Sequence, residues 1–134
     1  MWCSRWRRAI PLRDDGAVSV SAVMADAFYT EVLREGRVWA IRDADGCPAP
    51  RTPEGRAMPF WSLRSRAEKV ITTLDAYASF QPIDLSLDEW RSRWLPGLEK
   101  DGLRVGLNWS GMNAVGYDLE PAAVERSLAA RANA

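Results

Sequence analysis

The chain has 134 residues, with Lys plus Arg balancing Asp plus Glu at 18 each, so it suits one domain with its own core and carries no global field towards nucleic acid or an anionic membrane. It contains no histidine, which removes the usual general base near neutral pH, the commonest metal ligand and every imidazole-based triad. Cys3 and Cys47 stand apart without metal or redox spacing, and no apolar run approaches the roughly 18 residues that span a bilayer, which together point to a soluble protein of a reducing compartment, the cytoplasm by default.

Residues 1–18 lack periodicity and end in Asp14-Asp15-Gly16, and read as a poorly ordered extension before a single domain over 19–134. A helix from Ser19 or Ser21 places Val20, Met24, Ala27, Phe28 and Val32 on one arc and stops at Gly36. Arg37–Arg42 is apolar on both faces, as a central strand is, and Asp43-Ala44-Asp45-Gly46 supplies turn chemistry. Pro48, Pro50 and Pro53 leave room for at most a short edge strand over 47–56. Ala57–Trp61 reads as an edge strand, because Pro59 cannot donate to a ladder. Ser65-Arg66-Ala67-Glu68 forms a capping box for a helix with the core stripe Ala67, Val70, Ile71 and Leu74. Gln81–Leu85 is a strand. Ser86–Glu89 is a second capping box, opening a helix with Leu87, Trp90, Trp94 and Leu98 on one side and a kink or restart expected at Pro96.

Leu103, Val105, Leu107 and Trp109 alternate with polar or tiny residues, and Val115, Tyr117 and Leu119 repeat the alternation, which predicts a hairpin. A three-residue turn over Gly111-Met112-Asn113 pairs Trp109 with Val115, Leu107 with Tyr117 and Val105 with Leu119. On the other face Asn108 then meets Gly116, Gly106 meets Asp118, and Arg104 meets Glu120. Pro121 opens a final helix with Val124 and Leu128 inward. The fold class is α+β: a mixed or largely antiparallel sheet of five or six short strands, about four helices packed mainly on one side, and a C-terminal hairpin followed by a helix.

The candidate binding residues are Arg104, Gly106, Asn108, Gly116 and Asp118 on the polar hairpin face, together with Trp61. Glycines within a strand mark the close approach of another backbone, a helix or a ligand, and Trp61 points away from Phe60 on its strand. Glu31 falls inside the apolar arc of the first helix, where a carboxylate needs an arginine or backbone partner, or serves as a catalytic group with a raised pKa. Trp2, Arg5, Trp6, Arg7 and Arg8 interleave aromatics with cations, a pattern suited to nucleic acid. No phosphate-binding, dinucleotide, nucleophile-elbow or zinc-protease motif occurs.

Phe28-Tyr29-Thr30-Glu31-Val32, Gly36–Trp39, Ala57–Ser62, Ser65–Glu68, Trp94-Leu95-Pro96 and Val105–Trp109 together resemble a family of small bacterial proteins, domain of unknown function 2750, over roughly residues 19–128. The order of elements is also similar to SseB-type N-terminal domains. Neither resemblance implies catalytic residues. The expected function is a non-enzymatic protein-binding or regulatory module, without cofactor, metal or membrane. One alternative is a small-ligand or enzymatic pocket using carboxylates and arginines, for which Glu31 and Asp118 would have to converge. A further one is nucleic-acid contact through the Trp/Arg tail.

Overall fold

The computed structural model describes residues 6–7, 18–111 and 115–132. Strand β1 (Trp6–Arg7) lies parallel against β3 (Cys47–Pro48), Trp6 beside Cys47 and Arg7 beside Pro48, so two residues of the expected extension pair with the fold. Helix α1 (Val18–Glu35) buries Phe28 and Val32 completely, flanked by Ala25 and Tyr29. Gly36, at φ +69°, donates its N–H to the Val32 carbonyl at 2.8 Å. It closes the last turn in the left-handed conformation that glycine takes without strain.

Strand β2 (Arg37–Arg42) pairs antiparallel along its whole length with β6 (Gln81–Ser86). A second ladder runs in the order β4 (Arg51–Thr52), β5 (Gly55–Phe60), β7 (Arg104–Ser110), β8 (Val115–Leu119), with β5 and β7 parallel and the other neighbours antiparallel. The ladders meet at one bridge, where Trp39 and Trp61 exchange backbone hydrogen bonds of 2.8 Å. Strand β5 is therefore interior, not the edge that Pro59 suggested. The Ala57 N–H donates to the Pro50 carbonyl at 3.1 Å and the Trp61 N–H to the Trp39 carbonyl. Backbone groups two residues apart point to the same side of a strand, so the Pro59 nitrogen also faces away from β7. It falls in the interval between those two bonds, where a missing donor costs nothing.

Helix α2 (Arg64–Thr73) begins one residue before the expected cap: Leu63 is its N-cap and no side chain caps it. Ser65 thus sits inside the first turn, and Glu68 pairs with Arg64 at 2.8 Å instead. Helix α3 is continuous, α-helical over Leu87–Glu89, π-helical over Trp90–Trp94 and α-helical again over Leu95–Lys100. The Ser86 side chain accepts the Glu89 N–H at 3.0 Å, the bond that its capping box requires. The α-helical winding starts again at Leu95, so Pro96 falls in the first turn of the final segment, the restart expected there. A proline lacks the donor for the carbonyl four residues back and crowds that carbonyl, and the change of winding falls immediately before it, where the Leu95 N–H donates to the Trp90 carbonyl five residues back. Helix α4 (Pro121–Ala132) buries Val124 and Leu128.

Alternation along the strands sorts side chains into two apolar layers. Val38, Ala40, Met58, Phe60, Val105 and Leu107 pack with α1, α3 and α4, and the Phe60 ring meets Trp90 and Trp94 edge-on at centroid distances of 5.2 and 6.0 Å. Ile41, Ala57 and Trp61 point the other way, to Ala67 and Val70 of α2 and to Tyr77 and Phe80. Helices therefore cover both faces, three on one and α2 on the other.

Trp109 breaks the alternation. Counting by twos from Val105 and Leu107 assigns it to the first layer, yet it belongs to the second, beside Trp61. The predicted pairs Val105–Leu119, Gly106–Asp118 and Leu107–Tyr117 are present, but Ser110, not Trp109, faces Val115. Asn108 and Trp109 together oppose Gly116, which is a β-bulge, and Asn108 takes φ +52°, a left-handed conformation that asparagine tolerates better than most residues. Met112 and Asn113 of the expected three-residue turn lie outside the described residues; the pairing of Ser110 with Val115 leaves Gly111 to Ala114 between the strands. Arg104 and Glu120 approach to 4.0 Å.

The extra residue turns the Trp109 indole onto the face of Gly106. A Cβ at position 106 would lie 2.5 Å from the indole Cε2 and Nε1, so the glycine makes room for a tryptophan of its own strand. Gly106→Ala is expected to cost about 1–3 kcal/mol, the usual range for overpacking, in urea unfolding, with an altered near-ultraviolet tryptophan signal. In a Trp109→Leu background the loss should shrink. An unchanged stability would contradict this packing.

Candidate functional site

The bulge directs Asn108 into a buried polar network. Asn108 and Ser62 are both fully buried, and the Asn108 carboxamide grips Ser62 twice: Oδ1 accepts the Ser62 N–H at 3.0 Å, and Nδ2 donates to Ser62 Oγ at 3.0 Å. The Ser62 hydroxyl donates onward to Glu31 Oε1 at 2.5 Å. Arg66 holds the same carboxylate as a fork, Nε to Oε1 and Nη2 to Oε2, both at 2.9 Å. Helices α1 and α2, the end of β5 and the bulge of β7 are thus tied at one point. Asn108 lies in a hydrogen-bond network rather than on a solvated strand face, and an unmatched partner in such a network costs about 1–3 kcal/mol.

Hydrogen bonding from Arg66 holds the Glu31 carboxyl below the ordinary carboxylate range; burial works in the opposite direction, and Ser62 reinforces Arg66. Glu31 is accordingly an anion with fixed donors, the arginine-paired outcome for a carboxylate inside an apolar arc.

The remaining candidate residues gather around Trp109. Trp61 is fully buried and donates its indole N–H to the Trp109 carbonyl at 2.8 Å. The Trp109 indole N–H donates in turn to Asp118 Oδ1 at 2.8 Å. Arg104 Nη2 reaches the Asp118 carbonyl at 3.2 Å. Gly106 lies beneath the Trp109 ring. Gly116 is the single residue opposite the bulge, and its surroundings lie outside the described residues. Glu31 and Asp118 have different partners: Arg66 and Ser62 hold the first, and the second accepts from Trp109.

Beside this network a cleft of about 270 Å³ opens between α2 and the end of β7. Arg66, Lys69, Val70 and Thr73 form one wall; Asn108, Trp109, Ser110 and Gly111 form the other. Arg66 and Lys69 were not legible as site residues. Their helical spacing puts them on one edge of α2 with Val70 and Thr73, but only the bulge brings the end of β7 against that edge. The described residues contain no group of three or more His, Cys, Asp or Glu side chains that could hold a metal.

The Glu31 pairing makes stability depend on pH. Its folded pKa lies below its unfolded one, so its contribution is complete above the unfolded value, near 4.5, and is lost as pH falls through the folded value. The stability gap between the parent and Glu31→Gln, read by urea unfolding, should be constant near neutrality and close progressively below pH 4.5. A gap that widens on acidification would contradict the pairing.

A family model described as "Protein of unknown function (DUF2750)" matches residues 25–128. No curated protein and no solved structure matches the chain. Among the described residues no helix is long and apolar enough to cross a membrane. The matched span covers most of the chain and contains Glu31, Ser62, Arg66 and Asn108 together with the cleft. This chain therefore belongs to the DUF2750 family.

Proposed function

We propose that the chain is a non-enzymatic binding module of the bacterial cytoplasm that recognises a partner protein through the cleft between α2 and the bulged end of β7. The observation that carries this reading is the state of the two candidate carboxylates. Catalytic proton transfer at neutral pH needs a group whose pKa is brought towards 7, whereas Glu31 is pulled the other way by Arg66. Asp118 accepts from the Trp109 indole, and neither carboxylate lines the cleft. What the cleft offers is donors: Arg66, Lys69 and Ser110. Donors set on a rigid, buried support suit recognition. The isolated cysteines of the sequence support a reducing compartment.

A photo-crosslinking amino acid placed at exposed Thr73, on the cleft wall, tests this reading in native lysate, with the same substitution at exposed Glu54 as the reference. The Thr73 variant should yield a discrete protein adduct that the Glu54 variant lacks. Identical adduct patterns at the two positions would contradict it.

A further inference from the structure

The donors of the cleft specify a ligand chemistry, an inference that rests on the binding reading above. Arg66 engages Glu31 through Nε and Nη2, which leaves Nη1. Among the described residues Arg66 Nη1, the Lys69 ammonium and the Ser110 hydroxyl have no hydrogen-bond partner, and all three residues line the cleft. Glu31 cancels the charge of Arg66, so Lys69 is the one uncompensated charge of the lining. A net charge of one suits a monoanion; a phosphate dianion needs more cations than this wall holds. Val70 and Trp109 give the space between the donors an apolar backing. At about 270 Å³ the cleft falls just below the range of roughly 300–1,000 Å³ for whole small-molecule sites, and it accommodates a group the size of one side chain.

We infer that the cleft binds a carboxylate carried on a short aliphatic stem, held by Lys69, Ser110 and the outer edge of Arg66. The chemistry is shared by the C-terminus of a protein, a glutamate side chain and a free branched acid. Glu31 acts here as a positioning residue: its fork with Arg66 fixes the guanidinium plane and turns the outer edge to the cleft.

The test is an NMR titration of the full chain at low salt with N-acetylleucine, N-acetylglutamate α-amide and isovalerate, alongside N-acetylleucinamide and inorganic phosphate. At least one carboxylate should shift the signals of Lys69, Ser110 and the Trp109 indole N–H in a saturable manner, with N-acetylleucinamide inert, and the tightest of the three assigns the source. Lys69→Met, at an exposed position, should weaken that binding at least about 5-fold, the size expected for loss of one charge-assisted hydrogen bond. Ser110→Ala should weaken it less. Phosphate binding more tightly than every carboxylate, shifts confined to residues away from the cleft, or no saturable shift would each overturn the assignment. A failed titration alongside a persistent protein adduct at Thr73 would discard the carboxylate and leave the binding module standing, whereas loss of the adduct alone would discard the protein partner.

Discussion

The Trp109 indole lying across Gly106 is the contact on which the rest of this structure depends. It exists because β7 carries one residue more than β8 between the Leu107–Tyr117 and Ser110–Val115 pairs. That single insertion reverses the facing of everything beyond Leu107. Trp109 leaves the larger apolar layer and completes the smaller one with Trp61, Ala67 and Val70. Without it, α2 would cover a face whose far end is glycine, asparagine and serine. The bulge therefore supplies the apolar surface that makes a second layer possible, and large aromatics contribute most to such a layer because each buries roughly 150–250 Å².

The same backbone event builds the polar site. Asn108 accepts a left-handed φ, and its carboxamide then meets both the N–H and the hydroxyl of Ser62. A left-handed asparagine in a strand is retained where its surroundings over-determine it, and here the determinants are the ladder on one side and Ser62 on the other. Glu31 and Arg66 extend the network to both helices. Buried polar networks whose members are all matched rigidify a core, so the wall of the cleft is a preorganised surface. The cleft is the place where two layers and one network meet.

Elements with a clear period were legible in the sequence: α1 from its apolar arc, the Arg37–Arg42 strand, the Ser86 cap and the lower half of the hairpin from Val105 to Leu107. The departures share a physical character. Pro59 sits in an interior strand because its nitrogen faces a gap between two backbone bonds, which depends on neighbours that a proline does not announce; the restart expected at Pro96 is present, but the π turn that precedes it was not legible. Ser65 makes a good capping box, yet the helix begins at Arg64. The bulge is the deepest departure, since Asn108 and Trp109 obey strict alternation on paper. The signal was the excess of small residues on the opposite face: Gly106 required a close neighbour, and that neighbour was three positions along the same strand. Of the candidate site, the need of Glu31 for an arginine partner was legible from residue type and phase, whereas Asn108 and Trp61, expected to face a partner, are buried, and Arg66 and Lys69 depended on the packing of α2.

The functional reading follows from that arrangement: a cleft lined by Arg66, Lys69 and Ser110 beside a rigid buried network, with neither candidate carboxylate in its lining. Its foundation is the position of one ring. Nuclear Overhauser contacts of the Trp109 indole in the full chain test it most directly. Strong contacts are expected from the six-membered ring to the Gly106 α-protons and to Val70 of α2. Contacts to the Val105 and Leu107 methyl groups instead would place Trp109 in the larger layer, remove the bulge, and contradict the account.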